Sequence, residues 1–199
     1  MKPLTHFSLF TGIGGIDLAA EAAGFTTVCQ CEWADYPTAV LEKHWPLVPR
    51  FRDITTVTKE AFIEKTGRKE ITLLSGGFPC QPFSLAGKQR GFEDSRGTMF
   101  FEIARILRYH KPKVVFLENV DNLVRHDNGR TLEVIVNTLD ELGYDVHYKV
   151  LAASDFGVAQ IRKRVYIVCF LKSLKISFQF PEPFSSDIAL EDFLDSDVD

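Results

Sequence analysis

At 199 residues, with 45% hydrophobic and 25% charged side chains, the chain has the composition of a soluble globular domain with a sizeable core. No apolar run reaches membrane-span length and the N-terminus lacks a secretory signal's apolar stretch, so the sequence predicts a cytoplasmic protein with no membrane partner. The net charge of −4 is uninformative about nucleic acid, because residues 180–199 hold seven acids and no base while residues 1–179 carry 23 bases against 20 acids.

In chain order, His6 to Phe10 reads as a short apolar strand, followed by Thr11-Gly12-Ile13-Gly14-Gly15 and an alanine-rich helix from Ile16 to Ala23 that Gly24 ends. Thr27 to Glu32 reads as a second strand and Tyr36 to Trp45 as an amphipathic helix stopped by Pro46. Arg50 to Ile54 reads as a third strand, Lys59 to Lys65 as a short helix ending at Gly67, and Ile71 to Leu74 as a fourth strand. A polar, glycine-punctuated loop, Leu85 to Gly97, precedes a helix from Thr98 to Tyr109, whose Phe100, Ile103, Ala104 and Leu107 recur at helical spacing. Lys113 to Leu117 is an apolar strand ending at Glu118-Asn119, and Leu132 to Leu142 repeats the helical spacing. Tyr144 to Leu151 and Val165 to Phe170 read as a final antiparallel pair. There is no internal repeat. Cys29, Cys31, Cys80 and Cys169 include no C-x-x-C pair and no histidine at zinc spacing, so no metal is expected; Cys29 and Cys31 share one face of a strand and read as core.

Strands alternating with helices predict an α/β fold: a mostly parallel sheet with helices on both faces and an antiparallel pair at the C-terminal end. Ligands of such sheets bind beyond the carboxyl ends of the strands. The candidates all fall there: Gly12 to Gly15 after strand one, Glu32 after two, Asp53 after three, Cys80 after four, Glu118 after five.

Around Cys80 the chain reads Ser75-Gly76-Gly77-Phe78-Pro79-Cys80-Gln81-Pro82-Phe83-Ser84. Two glycines permit a sharp turn and two prolines restrict φ, which suits a presented thiol. A lone cysteine is more often core than nucleophile, so the turn by itself leaves both readings open. Gly12-x-Gly14-Gly15 lets backbone approach a ligand and aims a helix N-terminus at it. With Glu32 placed for ribose hydroxyls, the turn fits NAD and S-adenosylmethionine about equally. Asp17 stands where a dinucleotide motif has its last glycine; an acid near the turn disfavours a pyrophosphate and favours the phosphate-free sulfonium. A turn that merely packs helix on sheet is the plain alternative. Glu118 is either an ion-paired structural acid or a group held partly protonated to hydrogen-bond a ring nitrogen. Arg162 and Arg164 share one face if extended, and suit a carbonyl, a phosphate or Glu118.

In this order, Phe10-x-Gly12-x-Gly14-Gly15, Glu32-Trp33, Asp53-Ile54, Gly77-Phe78-Pro79-Cys80-Gln81, Asp94-Ser95-Arg96-Gly97-Thr98, Glu118-Asn119-Val120 and Gln160-x-Arg162-x-Arg164 resemble the DNA (cytosine-5)-methyltransferases of bacterial restriction-modification systems. Any one motif is weak; the ordered set is specific. The resemblance implies a Rossmann-like, S-adenosylmethionine-dependent methyltransferase fold with a catalytic domain over residues 1–172. It implies Cys80 as nucleophile with Glu118, Arg162 and Arg164 as its catalytic partners. Phe10, Thr11, Gly12, Gly14, Gly15, Glu32, Trp33, Asp53, Ile54, Pro79 and Met99 then line the cofactor site. Phe78, Gln81, Ser84, Lys88, Arg90, Arg96, Asn119 and Val120 fall where the family meets double-stranded DNA. Ala159 departs from the family's proline in the last motif, which loosens a turn without removing a reacting group.

The implied chemistry accounts for these residue types. Addition of the Cys80 thiolate at cytosine C6 makes C5 nucleophilic. Glu118, hydrogen-bonded to N3 and the exocyclic amine, and Arg164 with Arg162 at the carbonyl, support the charge that addition creates. The base must leave the duplex, at about a few kcal/mol, and Leu85 to Gly97 is the natural lid.

Residues 173–199 read as an acidic linker at which the family's target-recognition domain begins; neither that domain nor the last two motifs is visible. The expectation is one half of a split enzyme, completed by a separate chain, or a truncation. A cytosine-5 methyltransferase of RNA and a non-catalytic cofactor-binding fragment are the rivals. An NAD dehydrogenase is the weakest, because it leaves the cysteine turn idle.

Overall fold

A computed structural model of the chain describes residues 3–79, 99–184 and 190–194. In chain order the described elements are β1 (Thr5–Leu9), α1 (Gly15–Ala22), β2 (Thr26–Cys31), α2 (Asp35–His44), β3 (Arg50–Phe51) and α3 (Lys59–Thr66), then β4 (Leu73–Gly77), α4 (Met99–His110), β5 (Val114–Val120), α5 (Arg130–Glu141), β6 (Tyr144–Ala152) and β7 (Lys163–Leu171). Among the described residues these strands make one seven-stranded sheet in the order β3-β2-β1-β4-β5-β7-β6. The pairs from β3 through β5 are parallel, and β7 runs antiparallel to both β5 and β6. The expected antiparallel C-terminal pair is therefore present, and β7 extends the antiparallel contact to β5. The strand order reverses between β1 and β4, the topological switch point at which doubly wound sheets bind ligands.

Alternation along β1 puts helices on both faces of the sheet. Phe7 points to α3, with its ring 5.1 Å from that of Phe62, whereas Ser8 points the other way and bonds Asp17 of α1. The α3 face is continuous core: Phe7, Leu74, Phe62, Ile103, Leu107, Leu117 and Ile135 are each 0% exposed. Cys29, Cys31 and Cys169 are buried free thiols, as expected of core cysteines. Burial pushes all three thiols up, Cys31 to about 12, which leaves them inert. Among the described residues no helix is long and apolar enough to cross a membrane.

The α1 face is polar beneath its surface. Ser8 is in register with both Gln30 and Ser75, forming a row across β2, β1 and β4. Register slips by one residue between His6 and Phe7, so that Thr27 pairs His6 and Cys29 pairs Phe7, with Val28 as the extra residue. The slip brings Thr27 and Gln30, three apart in sequence, to the same face. His6 then sits fully buried with Nδ1 3.0 Å from the Thr27 hydroxyl and Nε2 2.7 Å from that of Ser75.

Three predicted boundaries move for physical reasons. The predicted third strand stops at Phe51, because Asp53 Oδ1 accepts the Thr55 amide at 2.9 Å and caps a short 3₁₀ turn, Ile54–Thr56. The fourth strand does not turn at its glycines but runs through them. A Cβ on Gly76 would sit 3.2 Å from the Leu9 carbonyl oxygen, and one on Gly77 3.3 Å from Glu118 Oε2, so these glycines serve close approach rather than a bend. The fifth strand likewise continues to Val120, paired through Asn119↔Val165 and Val120↔Arg164.

The predicted linker includes a packed strap. Phe178 lies 5.4 Å from the rings of both His147 and Phe170, Glu182 reaches Lys149 at 3.9 Å, and the Phe184 amide donates to Asp155 O at 3.1 Å.

Burial holds the pKa of His6 down to about 4, and that of His110 to about 4 with Lys59 adding to the shift. A histidine whose folded pKa lies below its unfolded value of 6.5 contributes nothing against acid above that value. Protons bind the unfolded chain preferentially as pH falls from 6.5 toward 4, and stability is lost over that window. Each histidine is expected to remove about 2 kcal/mol of stability by pH 5. Urea unfolding at pH 7 and pH 5 measures this, and His6→Asn should make the dependence shallower.

Candidate active site at the carboxyl edge of the sheet

The glycine turn closes β1. Phe10 adopts a left-handed backbone (φ 51) and packs against the core. Thr11 is buried, its hydroxyl 3.2 Å from both Ser8 O and Cys31 O. The Gly12 amide donates to Glu32 Oε2 at 2.7 Å, and the Ala34 amide donates to Glu32 Oε1 at 2.8 Å. One carboxylate therefore fixes the turn after β1 to the turn after β2, and each of its oxygens keeps a further acceptor site. Gly12 has φ +58 with open space where a Cβ would be, so its α-carbon is free for a ligand. Gly14, at φ +93, is restricted twice over: a Cβ there would lie 2.5 Å from Trp45 Cζ3. Trp45 itself is anchored by Nε1 to Glu21 Oε1 at 2.7 Å. Gly15 opens α1.

Asp17 departs from its sequence-based role. It has no exposed surface and turns into the layer between helix and sheet, where Oδ2 accepts from Ser8 Oγ and Oδ1 from Gln30 Nε2, each at 2.9 Å. Burial raises its pKa, against hydrogen bonds from Gln30 and Ser8 that lower it. Its charge is spent on these partners, not on the open side of the turn, so it does not select the ligand as the sequence reading supposed. Gln30 Oε1 in turn accepts Arg50 Nε at 2.8 Å, and Arg50 reaches the Leu41 carbonyl at 2.6 Å and the Trp45 carbonyl. Ser8, Gln30 and Arg50 had no role in the sequence reading. A polar residue at inward positions of β1 and β2, in one row, is the signal that finds them.

Trp33 is 73% exposed beside Glu32. Arg52 holds its segment by donating to Glu32 O at 3.1 Å and Trp33 O at 2.7 Å, and pairs with Asp35. Asp53 is half-buried, whereas the Ile54 side chain belongs to the core and brings only its backbone to this edge. That turn is braced from α4, where Arg105 donates to Ile54 O at 3.0 Å and Val57 O at 2.7 Å. Arg105 is a fourth residue missed in the sequence, half-hidden in a helix as an ordinary charge.

The other half of the site surrounds Glu118. Register sets Gly77 opposite Glu118, and Tyr166 opposite Glu118 on the other side. Arg164 is two residues from Tyr166, hence on the same face and diagonal to Glu118. Its Nε donates to Glu118 Oε1 at 2.8 Å with both side chains 21% exposed, and Arg162 lies 3.6 Å from the same oxygen. Both arginines converge on Oε1, while Oε2 lies over the bare α-carbon of Gly77. Beside this group, Gln160, Ile161, Arg162, Lys163, Arg164 and Asp121 line an open cavity of ≈ 450 Å³.

Two residues expected to meet DNA face inward. Phe78 is 5% exposed with its ring 5.8 Å from that of Phe100, and Asn119 is 2% exposed. Asn119 Nδ2 donates to Phe78 O at 2.9 Å and its Oδ1 accepts the Val120 amide at 2.8 Å. Their side chains brace the strand ends. Pro79 and Val120 are exposed at the edge, and Met99 is half-buried against the core. Cys80, Gln81, Ser84, Lys88, Arg90 and Arg96 lie outside the described residues.

Residues 4–197 match the family model described as C-5 cytosine-specific DNA methylase. The chain is 48% identical over 199 residues to the Type II methyltransferase M.HhaI of Haemophilus parahaemolyticus, covering 98% of this chain and 59% of that one. It is 47% identical over 191 residues to M.NgoBI of Neisseria gonorrhoeae, covering 96% and 57%. It therefore spans less than two thirds of the length of these curated relatives. Among solved structures, a DNMT2 variant from Spodoptera frugiperda superposes with a TM-score of 0.78 at 23% identity over 98% of this chain and 61% of that one. The Entamoeba histolytica methyltransferase EhMeth gives 0.73 at 19%, over 100% and 62%. At these identities the two structures speak for the fold alone.

The two glycines of the turn separate strain from space. Gly14→Ala, strained and overpacked against Trp45, is expected to lose about 3 kcal/mol, and Gly12→Ala, strained only, about 1 kcal/mol. Urea denaturation of both variants checks the difference.

Proposed function

For a chain that belongs to the C-5 cytosine-specific DNA methylase family, we propose a catalytic domain, residues 1–172, that methylates C5 of a flipped cytosine in double-stranded DNA through a covalent adduct with Cys80. One observation carries the reading. Glu118 is placed at the end of β5 with one carboxylate oxygen held by Arg164 at 2.8 Å, and the other faces Gly77, three residues before Cys80 in sequence. A group so oriented has a fixed oxygen and a free one, as recognition of a ring nitrogen and amine requires.

The first half of the site fits S-adenosylmethionine by its donor set. Around the turn, among the described residues, stand two carboxylates, Glu32 and Asp53, and an exposed indole, Trp33, and the adjacent cation Arg52 is paired with Asp35. That set repels a pyrophosphate and accepts hydroxyls, an amine, a flat purine and a positive sulfonium. Phe10, Thr11, Gly12, Gly14, Gly15, Glu32, Trp33, Asp53, Ile54, Pro79 and Met99 would hold the cofactor, several through backbone. When bound, S-adenosylmethionine supplies the electrophilic methyl group.

This chain's residues supply the rest. The Cys80 thiolate bonds to C6 of cytosine, and the electron pair displaced from the C5–C6 bond makes C5 nucleophilic. Glu118 donates or accepts at N3 and the exocyclic amine, neutralising the charge that addition builds. Arg164 and Arg162 lie beside it to take the carbonyl oxygen or a phosphate. After C5 is substituted, its proton leaves to a base, the electron pair re-forms the C5–C6 double bond, and the C6–sulfur bond breaks, returning the thiolate. Gln81, Ser84, Lys88, Arg90, Arg96 and Val120 are assigned to DNA on sequence grounds. A cytoplasmic setting follows from a DNA substrate in a bacterial-type modification system. Sequence choice is assigned to a target-recognition domain on a further chain segment or a separate partner chain.

The test uses duplex DNA carrying 5-fluorocytosine, S-adenosylmethionine and a chain supplying the recognition domain. A covalent protein–DNA adduct is expected, absent in Cys80→Ser; transfer to tRNA in preference to duplex DNA, or no adduct, overturns the reading. In the same assay with ordinary cytosine, Glu118→Gln should lower kcat by about 10²–10³-fold while S-adenosylmethionine affinity measured by calorimetry stays within a factor of about two.

A further inference from the structure

β7 descends from the site edge at Lys163 to the far edge at Leu171, and the chain then doubles back along β6. Its contacts climb the neighbouring strand in order: Phe178 on His147, Glu182 on Lys149, Phe184 on Asp155 and Phe156. Phe178 also stacks edge-on with Phe180 at 4.9 Å, so the strap holds itself extended. At its upper end two contacts act on one loop. The Phe184 amide donates to Asp155 O at 3.1 Å, and the Phe184 ring meets the Phe156 ring edge-on at 5.9 Å.

That loop joins β6 to β7 and presents Arg162. After a short 3₁₀ turn, Ala153–Phe156, its further backbone bonds are short-range: Val158 N to Ala153 O, Gln160 N to Val158 O and Arg162 N to Gln160 O. Two of these close three-residue turns, the weak kind. The Ala153 amide, donating to Arg162 O at 3.0 Å, ties the two ends of the loop together at its base. Above that bond Ile161 is 84% exposed and Val158 47%, so the loop has little core of its own. Arg162 sits 3.6 Å from Glu118 Oε1, at the limit of an ion pair, and small loop displacements remove it.

We propose that Phe184 is a positioning residue, clamping the 153–162 loop through Phe156 and Asp155 so that Arg162 stays against Glu118. The idea rests on the catalytic reading above for its functional consequence, but its structural half stands apart.

Hydrogen exchange of the intact chain tests it. In Phe184→Ala, amides 156–162 are expected to exchange at least about tenfold faster while α1 and β5 keep their protection; Phe184→Tyr, which retains the ring, should restore wild-type exchange. Phe156→Ala should reproduce the effect, and the double variant should add nothing to it. Where Phe184→Ala loses protection everywhere, the strap is a general stabiliser and the idea falls; unchanged exchange at 156–162 overturns it as well. In the transfer assay with ordinary cytosine, Phe184→Ala should lower kcat/KM for duplex DNA about tenfold while S-adenosylmethionine affinity stays within a factor of about two. Wild-type failure to form the adduct would sink the catalytic reading and leave the exchange result to decide the clamp.

Discussion

A carboxylate with no exposed surface is the constraint on which the cofactor half of the molecule depends. Asp17 lies between α1 and the sheet, where an unpartnered charge is prohibitive, and two hydrogen bonds from Ser8 and Gln30 satisfy it. Those bonds come from two different strands. They therefore specify how α1 sits on β1 and β2, which apolar packing alone would allow to slide. Gln30 hands its other end to Arg50, and Arg50 holds the end of α2. One polar chain thus ties α1 to β1, β2 and the end of α2, and Glu32 bonding Gly12 is a separate tie between the turns that follow β1 and β2.

The second half of the site is organised by what is missing. Gly76 and Gly77 are strand residues whose absent side chains admit Leu9 O and Glu118 Oε2. The parallel pairing of β4 with β5 places the free oxygen of Glu118 over this gap, and antiparallel pairing of β5 with β7 brings Arg164 to the other oxygen. A parallel strand in the place of β7 would have required a crossover and put its carboxyl end, not its amino end, at this edge. The antiparallel reversal is what lets the basic amino end of one strand meet an acid near the carboxyl end of another.

Periodicity and the punctuation of glycine and proline were enough to read the alternation of elements, because those signals are local. The positions of the strand ends on one edge followed from the alternation, so Glu32, Asp53 and Glu118 were found without side-chain geometry. What escaped was set by partners distant in sequence. Asp17 in an alanine-rich helix looks like any surface acid, and only Ser8 and Gln30, nine and thirteen residues away, make it a buried one. Asn119 and Phe78, adjacent to motif residues, looked like substrate contacts; their 41-residue separation hid the bond between them. The strap looked like a linker because Pro181, Pro183 and the acids of residues 187–199 mark the stretch, although Phe178, Phe180, Glu182 and Phe184 recur at a spacing of two, the period of an extended segment.

These features divide the labour of the edge unevenly, and the division has a physical reason. Groups that bind a small, fully enclosed ligand profit from rigidity, because every rotamer frozen beforehand is one less to freeze on binding. The Asp17 network provides that rigidity from within the fold. Under the proposed reading, groups that meet a duplex must admit a large partner and a displaced base, which suits elements whose order depends on few and shallow contacts, such as the 153–162 loop with its short 3₁₀ turn, its local backbone bonds and a strap. Glu118 belongs to both regimes. Its backbone is in the sheet, its Oε1 is held by an arginine on a strand and approached by one on a loop. The strand-borne Arg164 keeps the carboxylate oriented whether or not the loop is in place, and the loop-borne Arg162 adds a second positive charge only when it is. Rigid orientation with adjustable charge is what a carboxylate needs if it is to recognise a base in one step and stabilise its changed charge in the next.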